Sequence, residues 1–249
     1  MWIAVAALGG LLVGSFLNVV IARLPEGESL MHPGSRCPHC GHPVRPYDNV
    51  PVLSWLWLRG RCRDCGEPIS ARYPLVEALT AVLCALVVVA KGADEDAWLG
   101  IALVLTLVPV TFIDLDHRII PNRIVGPSAV VALVILALTD VDALPDHLIA
   151  AVAAGGFFLL AALAYPRGMG MGDVKLAALL GLYLGSSVAP ALLAAMLSGT
   201  LVGGAIIARK GVAEGRKTAV PFGPFLALGA LVGLFAGPEI VDWYRDTFL

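Results

Sequence analysis

Charge is what this sequence has least of. Only 14% of its 249 residues are Asp, Glu, Lys or Arg, against 58% hydrophobic, and the mean hydropathy is +0.84. A soluble domain is about a quarter charged and about 45–50% apolar, so the composition points to a polytopic membrane protein. No basic run is present to suggest nucleic-acid binding, and the net charge of −2 says little as a total. No ten-residue segments alternate at period two, which argues against a transmembrane barrel. No basic start precedes the apolar residues 1–22, so they read as a retained first helix rather than a cleaved secretory signal. Neither an HExxH nor a GxSxG motif occurs, which removes the common zinc-protease and serine-hydrolase signatures.

What is present is a series of apolar runs near 2–22, 74–90, 97–113, 124–139, 148–165, 174–186, 188–208 and 219–238. A span takes about 20 mostly apolar residues to cross a core of roughly 30 Å, and only helices satisfy their own backbone there. The expected fold is therefore an all-α polytopic membrane protein of about eight transmembrane helices. The sixth run is short; it is tilted, partly buried in protein, or fused with the seventh into a hairpin at "GSSVAP". With residues 23–73 placed in the cytoplasm, the loops near 114–123, 166–175 and 209–218 fall on the same side. These segments hold all of the 17 Lys and Arg residues except Lys91 and Arg245. The opposite loops, "GADEDA" and "TDVDALPD", and the tail "DWYRD" are acidic. This positive-inside pattern predicts an even number of spans with both termini outside. The pairs Gly10/Gly14, Gly199/Gly203 and Gly229/Gly233 have the spacing of close helix packing, although glycine is also simply common in such spans.

The one large loop carries Cys37, Cys40, Cys62 and Cys65 as two CxxC pairs separated by 21 residues, each second Cys followed by Gly. Two tight turns that each aim two thiolates at one ion make a zinc knuckle. A loop of about 50 residues cannot build much of a core, so a structural Zn²⁺ would supply much of its folding free energy. A redox pair or unpaired thiols are the alternatives, and disulfides are disfavoured in a cytosolic loop. The division that follows is a first helix over 1–22, a cytoplasmic zinc-binding domain over 23–73 and a membrane domain over 74–249. His32, His39, His42 and Asp48 read as surface or supporting residues, because four thiolates already complete the ligand set. Trp55 and Trp57 lie in the apolar stretch "VPVLSWLWL", an interfacial segment or a small core. Cys84, alone in a span, reads as packing.

Three acids need an explanation: Asp114 and Asp116 in "VTFIDLDHRIIPNRI", and Asp173 in "PRGMGMGDVK". A carboxylate at the membrane boundary is costly and usually faces protein or a wet cavity. The topology places both segments at the same membrane face, though Asp114 and Asp173 are 59 residues apart in sequence. Two close carboxylates share one proton, since both cannot easily ionise. The ionised member activates a water and the protonated one donates to the scissile carbonyl, and the pair titrates as a unit. Such a site needs no nucleophilic side chain and no metal. Gly168, Gly170 and Gly172 allow unusual backbone angles and let an extended peptide approach. Asp173 then stands near a helix N-terminus, whose dipole favours the ionised carboxylate; a plain N-cap is the competing reading. Pro121 and Asn122 fit a helix break that exposes the site.

With these residues in place, the chain resembles the prepilin peptidases, or type IV leader peptidases, intramembrane aspartic proteases of the GxGD type. The GxGD is Gly170-Met171-Gly172-Asp173, and Asp114 stands seven residues before the Pro of Ile120-Pro121-Asn122, where that family has its first catalytic aspartate. "GSFLNVVIARLP", "DNVPVLSWLWLRGRC" and "ISARYPLVE" are similar to the longer, bifunctional branch. The resemblance implies cleavage of the short basic leader of prepilins or pseudopilins, at the cytoplasmic face of the bacterial inner membrane and just before the hydrophobic segment. It also implies methylation of the new N-terminal amine with S-adenosylmethionine, for which no Rossmann-type Gly-rich loop is present. Asp116 competes with Asp114 for the dyad. A step of two residues turns a helical side chain by about 200°, so only one can face Asp173, and the register to "IPN" favours Asp114. The oligomeric state is not readable. Two other classes stay in view: a proton- or cation-coupled transporter, which calls for charge deep in a span and an inverted repeat, and a non-catalytic zinc-containing membrane scaffold, which would tolerate changes at both aspartates.

Overall fold

A computed structural model describes residues 1–93, 95–165, 168–211 and 220–248, with backbone alone at Glu95 and Asp96. Pro166 and Arg167 of the loop at 166–175, residues 212–218 of the basic loop at 209–218 and Ala219 of the eighth run lie outside the described residues. The expected all-α architecture is what forms. The helices are α1 (Trp2–Arg23), α2 (Leu53–Trp57), α3 (Arg72–Lys91), α4 (Glu95–His117), α5 (Asn122–Thr139), α6 (Leu144–Ala164), α7 (Met171–Leu184), α8 (Val188–Lys210) and α9 (Gly223–Phe248). Among the described residues the only sheet-like pairing is two isolated bridges, Arg36 to Pro43 and Arg61 to Pro68. Seven candidate helices are long and apolar enough to cross a membrane. Their outward residues are apolar too, Leu138, Val152 and Leu201 among them, as a lipid-facing surface requires. The chain is a multi-pass membrane protein.

The count is seven rather than eight because residues Met171–Lys210 enter as one apolar stretch of 40 residues. A single rod of that length would run about 60 Å, roughly twice a hydrocarbon core. The stretch instead breaks at Gly185, which takes φ +53°, and turns through a short 3₁₀ segment, Gly185–Ser187. It doubles back there, as a hairpin at "GSSVAP" requires. Lys175 near its start bonds Asn122 at the head of α5, and Gly199 near its end faces Phe222 and Phe225 at the head of α9. At 14 residues α7 is about 21 Å long, so it is the short element that the sequence leads one to expect.

The chain forms two compact units, Met1–Ala97 and Trp98–Leu249. In the first, α1 lies on α3 along Gly10 and Gly14. A Cβ at these positions would come within 2.7 Å of the Ala81 Cα and 2.9 Å of the Glu77 Cα. The loop between the helices folds as two copies of one motif, offset by 25 residues. Cys37 N–H bonds His42 O and Gly41 N–H bonds Cys37 O at 3.0 and 2.9 Å; Cys62 to Glu67 and Gly66 to Cys62 repeat this at 2.8 and 2.9 Å. Gly41 and Gly66 adopt φ +73° and +75°, the left-handed conformation that closes each turn. Trp55 is half-buried, its indole N–H donating to Ile69 O at 3.0 Å and its ring lying against Gly60. Trp57 is exposed, and Cys84 is buried in helix packing.

In the second unit, α6 packs antiparallel to α7 with Gly155 against Ala178 and Gly181 against Ala150. Helix α8 packs antiparallel to α9 with Gly229 and Gly233 against Ala191 and Ala195. Two of the three GxxxG-spaced pairs are thus close helix contacts. The third is not: Gly199 faces aromatic rings and Gly203 has nothing within 4 Å of a built Cβ.

Candidate active site

Helix α4 carries no charge from Ala97 to Ile113, and Asp114 follows in its last turn, only 5% exposed. Its partner comes from 109 residues away: Gly223 N–H donates to Asp114 Oδ2 at 2.8 Å. Gly223 opens α9, and a Cβ there would fall 2.7 Å from the same oxygen. The segment is fixed by Phe222, whose ring lies 6.1 Å from those of buried Phe158 and of Phe225.

Asp173 is the third residue of α7, with Gly170 as N-cap. Its Oδ2 reaches back to accept Gly170 N–H at 3.2 Å, while Asp173 N–H donates to Gly170 O at 3.1 Å. One half of a capping box is therefore present, and the capping reading of this residue is realised beside any chemistry it performs. Asp173 is half-buried. The charge of Asp114 acts on it, so the two carboxylates are within electrostatic reach. The flanking segments meet as well. Gly172 packs on Ile120, where a Cβ would be 3.0 Å from the Ile120 Cβ, and Lys175 Nζ donates to Asn122 Oδ1 at 2.9 Å. Asp116 lies two residues beyond Asp114 and is exposed, as a turn of about 200° dictates. Among the described residues neither Asp114 nor Asp173 has a cation within ion-pairing distance. Each instead faces the N–H groups at the positive end of a helix dipole. Two carboxylates near enough to repel, with no counter-cation among the described residues, could share a proton and polarise a water.

One device behind the site was not read from the sequence. Thr106 on α4, Ser128 on α5 and Tyr183 on α7 form a buried hydroxyl chain, with oxygens 2.6 and 2.9 Å apart. It ties together the helices that carry the two aspartates. The available signal was a set of hydroxyls inside apolar runs.

The four cysteine sulfurs of the first unit all lie within 4.8 Å of one another, and Cys37 and Cys65 are 3.8 Å apart. Tetrahedral bonds of about 2.3 Å to a common ion separate sulfurs by about 3.8 Å, so the four can hold a metal. Backbone N–H groups of Cys40 and His39 lower the Cys37 thiol to about 6. Cys65, though the Glu67 backbone favours its thiolate, is pushed up to about 12 by desolvation and the other three thiols. Cys37 is thus poised as a thiolate, while Cys65 holds a proton that a cation would displace. His32, His39 and His42 are exposed. Asp48 pairs with Arg63 at 2.6 Å, which holds its carboxyl below the usual range.

Comparison with known proteins adds to this geometry. Residues 101–207 match the type IV leader peptidase family, and residues 8–91 match the bacterial peptidase A24 N-terminal domain. A prepilin leader peptidase/N-methyltransferase of Aeromonas hydrophila is 39% identical over 100% of this chain and 96% of its own length. The chain belongs to the type IV leader peptidase family. Other members similar to it carry the same name: one from Pseudomonas putida is 37% identical over 96% of this chain and 92% of its own. One from Myxococcus xanthus is 43% identical over 78% of this chain and 60% of its own. No solved structure was found to match. The leader-peptidase match spans both Asp114 and Asp173, and the N-terminal match spans all four cysteines of the cluster.

Proposed function

We propose that this chain is an intramembrane aspartic endopeptidase that cuts the leader from type IV prepilins or pseudopilins. In this reading it acts at the cytoplasmic face of the bacterial inner membrane, with both termini outside, and then methylates the new N-terminal amine from S-adenosylmethionine. Asp114 and Asp173 are the dyad. One carboxylate takes a proton from water as the water attacks the scissile carbonyl. The other gives its proton to the carbonyl oxygen, and a proton passes to the leaving amine as the tetrahedral intermediate collapses. Gly223 and Gly170 hold one oxygen of each carboxylate, which fixes the direction of the remaining one. Gly172 lets the turn lie against Ile120, and Asp116 faces away. The cysteines hold a structural Zn²⁺ within the cytoplasmic segment 23–73, and the peptidase domain runs over 74–249. When bound, that ion would supply folding energy and no step of the cleavage.

The observation that carries the reading is that the segments bearing two carboxylates distant in sequence meet at the edge of an apolar bundle, Gly172 on Ile120 and Lys175 on Asn122, and that among the described residues neither carboxylate has a cation within ion-pairing distance. The test is to incubate the purified full-length protein with a prepilin peptide, with and without S-adenosylmethionine, and weigh the products. Wild type releases the leader. Asp114→Asn and Asp173→Asn stay folded and lose about 10³-fold or more in rate, within the range for general acid–base groups, while Asp116→Asn keeps its rate within a few-fold. Full processing by either dyad variant sinks the assignment.

A further inference from the structure

The first unit holds a partly open cavity of about 550 Å³ between α1, α3 and the two knuckles. That volume is in the range of small-molecule sites, about 300–1,000 Å³. Ser15, Asn18, Val19, Trp55, Tyr73 and Glu77 are among the residues that line it. Glu77 is the anomaly. It sits inside a candidate span and is 8% exposed. Its Oε2 accepts Val52 N–H at 2.7 Å, and Ser15 lines the same cavity. Yet among the described residues it has no cation within ion-pairing distance, whereas Asp48 and Asp64 of the same cavity wall are paired with Arg63 and Arg45. A buried carboxylate is ordinarily paired, and an ionisable group at membrane depth is by default functional.

The backbone that Glu77 holds is strained. Val52 has φ +60° and ψ −49°, and Leu53 N–H bonds Pro51 O across it at 2.6 Å. This is a γ-turn of the rare, strained kind, on a β-branched residue for which positive φ is a genuine outlier. Such strain persists only where the surroundings over-determine it, and it clusters at functional sites.

We infer that this cavity is the methyl-transfer site: it takes a nucleoside-linked sulfonium methyl donor, and Glu77 receives the N-terminal ammonium of the cut pilin segment. The inference rests on the methyl-transfer half of the function proposed above. Methyl transfer brings two cations together, and a lone buried carboxylate on a small-molecule cavity is the group that balances one of them. The Glu77 carboxylate takes one proton from the ammonium. The freed nitrogen lone pair attacks the methyl carbon; the N–C bond forms as the S–C bond breaks, and that electron pair stays on sulfur as a neutral thioether. The product secondary ammonium keeps the single positive charge, and Glu77 passes its proton to water. The Val52 N–H keeps the carboxylate turned to the cavity.

The test uses full-length, metal-loaded protein in detergent, S-adenosylmethionine labelled in its methyl group, and two peptides: an intact prepilin peptide and the same peptide already cut. Label transfer to the cut peptide reads the inference, and leader release from the intact one reads the peptidase separately. Glu77→Gln keeps the Val52 contact through its carbonyl. It should lose label transfer by about 100-fold or more, retain donor binding by equilibrium dialysis within a few-fold, and cut the intact peptide at the wild-type rate. Glu77→Asp should recover part of the transfer. Val19→Trp fills the cavity and should abolish donor binding while leader release continues. Wild-type transfer rates in Glu77→Gln, or undiminished donor binding in Val19→Trp, overturn the inference and leave the peptidase standing. A wild-type protein that cuts but neither binds the donor nor labels the cut peptide overturns the inference together with the methyl-transfer half. One that labels the cut peptide but leaves the intact peptide whole supports the inference and overturns the peptidase.

Discussion

The four cysteines and the two aspartates differ in how far along the chain their partners lie. Each knuckle closes within eight residues, and the second copies the first bond for bond 25 residues later. Asp114 is held by an N–H 109 residues away, and Asp173 lies 59 residues beyond Asp114. The knuckles are local geometry repeated, with sulfurs placed where one ion could join them. The aspartate pair is the product of a helix bundle: Gly170 holds Asp173 locally, but the Asp114 carboxylate is held by a residue from far along the chain. Damage to the first should therefore stay in the loop, and damage to the second should spread through packing or abolish chemistry without disturbing the fold.

The sharpest break in this comparison comes from the dyad itself. Asp173→Asn should lower prepilin cleavage by about 10³-fold or more, yet leave the thermal unfolding midpoint close to wild type, because the amide oxygen can still accept the Gly170 N–H. A large fall in midpoint with partial activity would mean that Asp173 is only a cap.

Metal removal should act in the opposite way. A strong chelator, or Cys37→Ser, should make the segment 23–73 sensitive to limited proteolysis while the far-UV circular dichroism of the membrane helices stays close to its starting value. The reason is that a small metal-held loop owes most of its folding to the ion. Loss of helicity throughout on chelation would show that the two regions do not behave separately.

A smaller effect tests the bundle. Gly229→Ala sets a methyl against the Ala191 carbonyl and the Ala195 side chain. Overpacking of this kind costs about 1–3 kcal/mol, so detergent-solubilised protein should unfold earlier and release less leader peptide, while Gly203→Ala, with nothing near it, should change neither.

Tyr183→Phe removes one end of the hydroxyl chain and should cost about 0.6–2 kcal/mol, as interhelical hydrogen bonds in membranes do. Cleavage should fall a few-fold, because the helices carrying the aspartates lose a tie rather than a reacting group.

The smallest effect is acid dependence in the loop. The Arg63 hydrogen bond holds the Asp48 carboxyl below its ordinary value. Its contribution is present above that ordinary value, about 3.9, and is lost as pH falls through the lowered one. Arg63→Gln should remove this dependence, seen as a smaller difference in loop proteolysis between neutral and strongly acidic solution.

What could be read in advance follows the same division. The apolar runs, the CxxC pairs and the short sixth run were legible because each is set by residues near one another in sequence. The choice between Asp114 and Asp116 was half legible. Helical geometry says that only one can face inward, but burial of Asp114 depends on α9 arriving with Gly223. Glu77 stands out in the sequence only as a lone acid in the run 74–90; the fold buries it with no cation within ion-pairing distance among the described residues. The GxxxG spacing marked two true contacts and one open position, because spacing shows which residues share a helix face and not what that face meets.

The sequence by itself determined the membrane class, the helical content and the two turns that can grip an ion, since hydropathy and short-range hydrogen bonding act over a few residues. Only the tertiary structure decided which acids lose their water, which glycines touch another helix and which carboxylates find a cation among the described residues. Desolvation and charge pairing depend on what packs against a side chain, and in this bundle that neighbour often comes from far along the chain.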